Sequence, residues 1–80
     1  MSNSIGQMSV GVDELVALID EAAAWVVVDA GGDTVGRPVA SLREAVRVAR
    51  AGYAAVRVSG PPVLATSMQM TALRAATGAL

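Results

Sequence analysis

Arginine and carboxylate side chains are the residues of this chain whose type and spacing bear on chemistry. Histidine, cysteine and lysine are absent from the sequence. The chain therefore lacks the usual general base, the thiolate nucleophile and the zinc-thiolate ligands. Hydroxyl groups remain as nucleophiles, but no Asp or Glu stands in a recognisable constellation with them. We expect no catalytic residues, and hence a protein that is not an enzyme.

The segment from Gly31 to Pro38 has the spacing G-x-x-x-x-G of a phosphate-binding loop. In such a loop the last glycine is followed by Lys and by Ser or Thr at the start of a helix. Arg37 and Pro38 stand there instead, so the segment favours a hairpin turn. Asp29 and Asp33 flank this turn, but a hard cation prefers six or more oxygen ligands. We expect neither a metal site nor a cofactor.

Three arginines form the most prominent feature of the sequence. Arg43, Arg47 and Arg50 recur at i, i+4 and i+7 beside the apolar positions of one predicted helix, and Arg57 lies on the following predicted strand. Such a row is able to contact nucleic-acid phosphates. It is equally able to pair with an acidic protein surface or to remain solvated. No aromatic residue is interleaved with the arginines, which disfavours stacking on a single strand.

An acidic counterpart to these arginines is predicted on the first helix. Asp13, Asp20 and Glu21 occupy its polar face and offer a contact surface in the same chain or in a partner. Residues 1–33 contain six acids and no base, whereas residues 34–80 contain six arginines and one acid. The halves therefore carry formal charges of −6 and +5, although the whole chain carries −1. This asymmetry indicates docking of one half on the other or nucleic-acid binding.

The composition predicts self-association. Eighty residues make one domain with a marginal core, yet 54% of them are hydrophobic and the mean hydropathy is +0.54. This is more apolar material than a small sphere can hide, so we expect a second copy to cover part of it. The sequence has neither a long apolar run nor the features of a secretory signal, which predicts no membrane contact and a cytoplasmic location.

Hydrophobic periodicity and turn residues predict an α+β domain with the order α-ββα-ββα. Two short hairpins, at residues 25–37 and 53–65, are expected to pack on amphipathic helices at residues 11–23, 41–51 and 66–77. Ser41 with Glu44, and Thr66 with Gln69, have the spacing of capping boxes. Residues 1–10 are a lead that is loose, an edge strand or a partner-docked arm, and residues 11–80 form the single domain.

One motif resembles a known family. A predicted helix and a valine-rich strand precede the run Gly36-Arg37-Pro38-Val39-Ala40, which is similar to the N-terminal half of prevent-host-death antitoxins. The longer turn at residues 29–35 and the second hairpin after Gly52 depart from that family's pattern. The resemblance implies dimerisation together with DNA or partner binding.

We therefore predict a non-enzymatic protein–protein interaction module, such as a small regulatory, adaptor or inhibitor protein that acts as a homodimer or larger assembly. The rival hypothesis is a DNA-binding regulator of antitoxin type that uses the arginine-bearing helix. A further alternative is an assembly subunit such as a phage structural protein. All basic residues of the chain are arginine, and Ala, Val and Gly are abundant, which suggests a GC-rich genome. We expect a bacterial or phage source.

Overall fold

The computed structural model describes residues 8–78, which form three helices and a mixed sheet. The elements are β1 (Met8–Ser9), α1 (Val12–Leu18), β2 (Trp25–Val28), β3 (Thr34–Val39), α2 (Leu42–Val48), β4 (Ala54–Arg57), β5 (Val63–Ala65) and α3 (Ser67–Ala76). The predicted α+β class and the α-ββα-ββα order are confirmed, and a two-residue strand precedes the first helix. Residues 1–7 of the predicted lead lie outside the described residues.

The two predicted hairpins join into one sheet. Its strand order is β1-β5-β4-β2-β3; β2 to β5 are antiparallel, and β1 adds to the edge in parallel with β5. The central pairing is between β2 and β4, whose register runs from Trp25 opposite Arg57 to Val28 opposite Ala54. Pro38 lies in β3, at the outer edge, where its missing N–H breaks no central ladder.

The helices lie on one face of this sheet, where α2 and α3 pack on the strands and α1 packs on α3. Trp25, Val27, Ala55, Val63 and Ala65 of the strands alternate towards that face and are buried there. The helices and the residues that directly follow α1 and α2 contribute the remaining buried apolar residues, namely Leu15, Ile19, Leu42, Ala45, Val46, Ala49, Met70 and Leu73. The molecule is therefore a two-layer domain, with a helical layer on one side of the sheet.

The first helix is shorter than its sequence pattern predicts. It begins after Gly11 and ends at Leu18, whereas the periodicity predicts a helix to residue 23. The chain leaves the helix because later backbone groups bond elsewhere: the Ile19 carbonyl accepts from the Arg43 N–H, and the Ala23 N–H donates to the Ala40 carbonyl. Ala22, assigned by periodicity to the apolar stripe, is exposed as a result.

The second helix also ends early, at Val48 rather than at residue 51. Ser41 caps its first turn, since the Ser41 hydroxyl accepts from the Glu44 N–H at 3.2 Å. The predicted capping box is only half formed, because among residues 8–78 the Ser41 N–H makes no bond to the Glu44 carboxylate. Arg50 consequently lies in the loop after the helix, and the chain reverses at Gly52, whose φ is +88°.

The third helix matches its predicted start, because Thr66 and Gln69 form the expected reciprocal capping box. Leu73 is buried as expected, but Ala76 is exposed and Met70 takes the core position beside Leu73. Leu80, also predicted on the apolar side, lies outside the described residues. Within residues 8–78 no helix is long and apolar enough to cross a membrane.

Candidate interaction surfaces

The loop between α1 and β2 is held to the rest of the domain by an ion pair. Arg43, on the first turn of α2, donates from Nε to the Asp20 Oδ1 at 2.6 Å and from a terminal nitrogen to Oδ2 at 3.1 Å. This hydrogen bond from Arg43 lowers the pKa of the Asp20 carboxyl below its usual range, and the guanidinium pKa of Arg43 is raised in return. Of the two alternatives left open by the sequence, a pair within the chain or with a partner, Asp20 and Arg43 thus form the pair within the chain.

A second ion pair holds the neighbouring residue of the same loop. Arg57, at the end of β4, donates to the Glu21 carboxylate at 2.8 Å and also to the Pro61 carbonyl. Its side chain is only 14% exposed, since it lies on the sheet face covered by the helices. Arg57 therefore links the α1–β2 loop to the β4–β5 turn and presents little surface to a partner.

The other predicted contact residues lie on the surface. Arg47 and Arg50 are exposed at the end of α2 and in the loop after it, and neither makes an ion pair with a residue in the 8–78 range. Asp13 is exposed in the first turn of α1, where the helix dipole favours an acid. Exposed arginine at the end of α2 thus remains available to an anionic partner.

Arg74 is a structural arginine that the sequence patterns do not single out. From α3 it donates to the carbonyl oxygens of Val46 and Ala49 at the end of α2. These carbonyls are among those that a helix end leaves without an internal partner. The spacing of Arg74 in its own helix gives no sign of this contact, because the two partners are 25 and 28 residues away.

The sheet face opposite the helices is apolar across β2, β4 and β5 and has no second layer among the described residues. At its two edges lie the polar residues Ser9, opposite Leu64, and Thr34, opposite Val28. Val26, Val56 and Leu64 lie side by side in one row across β2, β4 and β5, and Val28 lies beside Ala54 in the next. All five are only partly buried and lie outside the core cluster.

Val58 continues the same face beyond the end of β4. Its N–H donates to the Ala24 carbonyl at 2.8 Å, which extends the ladder by one step, and its side chain is 52% exposed. We call these six residues the open face: Val26, Val28, Ala54, Val56, Val58 and Leu64. The continuous apolar run of β2 is the sequence signal for it, since strands with two apolar faces are normally covered on both sides.

Charge is segregated from the open face. Of the chain's 13 charged residues, ten belong to the helices, to the loops beside them or, for Arg57, to the covered face of β4. The other three, Asp29, Asp33 and Arg37, lie on the β2–β3 hairpin. Most of the charged side chains thus lie in the helical layer, and none belongs to the open face. Among residues 8–78 no group of three or more potential metal ligands occurs.

No protein-family model matches the chain, and neither the curated proteins nor the solved structures compared with it show significant similarity. The motif Gly36-Arg37-Pro38-Val39-Ala40 lies in β3 and the residue after it. Its similarity to antitoxins stays a resemblance of that motif.

Proposed function

We propose that this protein is a non-enzymatic protein–protein interaction module, a small regulatory, adaptor or inhibitor protein that works as a homo-oligomer. The observation that supports this proposal is the open face. A one-sided antiparallel sheet normally alternates apolar residues towards the core with polar residues towards water. Here the three central strands carry valine, alanine and leucine on the side away from the helices, with Thr34 and Ser9 on the two edge strands. An apolar centre of this kind is the composition of a surface that another polypeptide covers.

The helical layer supports a second, more polar contact. Arg43 and Arg57 serve their own chain, so of the four arginines predicted to bind a partner only Arg47 and Arg50 remain unpaired within the described range. An acidic protein surface is the partner chemistry that these two exposed arginines fit.

DNA binding is the second candidate function, and the exposed arginines are the observation that favours it. Arg37 is exposed on β3, and Arg47 and Arg50 are exposed around the end of α2. Phosphate contacts by these three residues would give an affinity that falls steeply with salt. The phage-subunit hypothesis, the cytoplasmic location and the bacterial or phage source stay predictions.

Two measurements test the proposal. Sedimentation velocity is expected to show a species heavier than the 8.1 kDa chain at micromolar concentration. Anisotropy of a fluorescent DNA duplex is expected to show no binding at low salt. An 8.1 kDa species at every concentration would contradict the homo-oligomer. Salt-sensitive DNA binding that Arg47→Glu abolishes would favour the regulator instead.

A further inference from the structure

We infer that the open face is the dimer interface of this protein and that its occupant is a second copy of the chain, packed sheet against sheet. This inference rests on the proposed function, because it identifies the surface and the partner of the interaction module. A twofold dimer of this kind uses the same patch on both copies and closes on itself. The assembly is therefore a dimer and not an open chain of subunits.

The sheet edges are poorly suited to the same task. β3 is the outer edge strand, and Pro38 removes a donor from its ladder. Trp25 pairs with Val39 and Val27 pairs with Val35. The strand β3 therefore has more residues than β2 between these two pairs, and it bulges there. β1, at the other edge, has only two residues. Within residues 8–78 neither edge offers a long regular strand, so the apolar face is the better interface.

The chemistry of the open face favours a second copy over a charged partner. None of its six residues is charged, whereas most charged side chains lie in the helical layer. A partner must therefore bring an equally uncharged surface, because burying an unpaired charge is costly. A second copy brings a matching surface by symmetry. The net charge of −1 adds little repulsion between two copies.

The size of the face sets the expected strength of the dimer. The three strands that carry the open face, β2, β4 and β5, lie about 4.8 Å apart and run about four residues of 3.4 Å each, so they cover roughly 14 by 14 Å. This flat area of about 200 Å² is well below the about 800 Å² that a specific interface buries on each partner. We therefore expect a weak dimer, with a dissociation constant in the upper micromolar range. Because the contact is apolar, added salt is expected to leave it unchanged or to strengthen it.

Matched Val→Glu substitutions locate the interface. Val56→Glu places a charge in the middle row of the open face, and Val58→Glu places one at its exposed end. Val48→Glu is the control, because Val48 lies on α2 and is 53% exposed, against 52% for Val58. Circular dichroism and urea unfolding establish that each variant is folded. Val58→Glu keeps the test decisive if Val56→Glu fails to fold, since Val58 lies beyond the end of β4.

Sedimentation velocity measures the mass of the wild type and of each variant from about 1 µM to 1 mM, a range that brackets micromolar affinity. The possible outcomes are distinguishable. The inference expects the wild type to reach twice the chain mass, with Val56→Glu and Val58→Glu weakening association at least about tenfold and Val48→Glu leaving it unchanged. If the wild type and all three variants dimerise equally, the open face is not the interface, but the protein is still a homo-oligomer. Particles larger than dimers would overturn the closed arrangement.

A monomeric wild type would overturn the inference and the homo-oligomeric part of the proposed function together. The interaction module itself would survive only if a different purified protein bound the chain and Val56→Glu abolished that binding. An association that weakens with salt and is lost in Arg47→Glu would also overturn the inference, because it would place the contact at the arginines of the helical layer.

Discussion

Arginine, the only basic residue type in this chain, serves distinct purposes at different positions. Arg43 and Arg57 fix two neighbouring acids of the α1–β2 loop, and Arg74 satisfies carbonyl groups at the end of α2. Arg47 and Arg50 remain at the surface. A planar guanidinium with five donors suits both the pairing with acids and the bonding to carbonyl groups, because it can bind a carboxylate and a carbonyl at once. Counting arginines therefore overstates the surface available to a partner.

Arg74→Met tests the structural arginine. The methionine keeps an unbranched apolar stem but removes the donors to the Val46 and Ala49 carbonyls. We expect the free energy of unfolding to fall by about 1–3 kcal/mol, the usual value of hydrogen bonds to a charged group. Urea unfolding measures this change. Arg47→Met is the matched control on exposed α2 surface and is expected to change little; equal losses in both variants would contradict the assignment.

Asp20→Asn tests the ion pair through its pH dependence. The pKa of Asp20 is lowered in the folded protein by the Arg43 hydrogen bond, so ionised Asp20 stabilises the fold above the unfolded pKa of about 4. That contribution is lost as the pH falls through the lowered folded value. We expect the wild type to have the higher urea midpoint at pH 7 and the two proteins to converge in strong acid. A difference that persists unchanged in acid would contradict this origin.

At the scale of elements, the β2–β3 hairpin shows how one side chain and one glycine set a turn. The Asp29 carboxylate accepts from the N–H groups of Gly31 at 2.9 Å and Asp33 at 3.0 Å. Asp29 and Asp33 are thus turn residues. The sequence predicts positive φ at both Gly31 and Gly32, but only Gly32 adopts it, at +93°. That prediction is right for Gly32 and wrong for Gly31, because the aspartate cap lets Gly31 keep an ordinary φ.

Substituting alanine for Gly31 and for Gly32, one at a time, distinguishes the roles of these two positions. Gly32→Ala is expected to destabilise the protein by about 1–2 kcal/mol, because a side chain is strained at this φ. Gly31→Ala is expected to be neutral or slightly stabilising, since its Cβ meets only the Asp29 Oδ1 at an ordinary 3.5 Å and the unfolded chain loses freedom. Thermal unfolding compares the two variants. A larger loss at Gly31 would mean that the turn is misassigned.

At the scale of the whole molecule, the domain has a charged helical layer and an uncovered apolar sheet. Three helices supply one cover for the sheet, and the described chain supplies no second one. Small side chains such as Ala and Val bury little area each, so one core of this size gives limited stability. A second copy on the open face would add apolar burial without lengthening the chain. Assembly and stability are therefore expected to be coupled.

This coupling predicts that the melting temperature of the wild type rises with protein concentration. A dimer that binds only folded chains gains stability by mass action, whereas a monomer does not. We expect the rise in the wild type and in Val48→Glu, and a flat dependence in Val56→Glu. Calorimetry across a hundredfold range of concentration checks it. A melting temperature that is independent of concentration in the wild type would argue against any dimer linked to folding.

The sequence by itself determined the local features, since these depend on residues within a few positions of one another. The caps at Ser41 and Thr66 and the alternating strands follow from short-range hydrogen bonds and periodicity, and they were sufficient to predict the α+β class and the element order. The hydrophobic content of 54% likewise predicted more apolar surface than one core can hide. The rows of the open face required strand register, which no local pattern specifies.

Tertiary structure alone decided where α1 and α2 end, how the two hairpins join, and which arginines are paired within the chain. These outcomes depend on contacts between residues far apart in sequence: Asp20 and Arg43 are 23 residues apart, and Glu21 and Arg57 are 36 apart. Helical periodicity continues past Leu18, but the Ile19 carbonyl and the Ala23 N–H bond to Arg43 and Ala40 instead of within the helix. Long-range pairing therefore overrode local propensity.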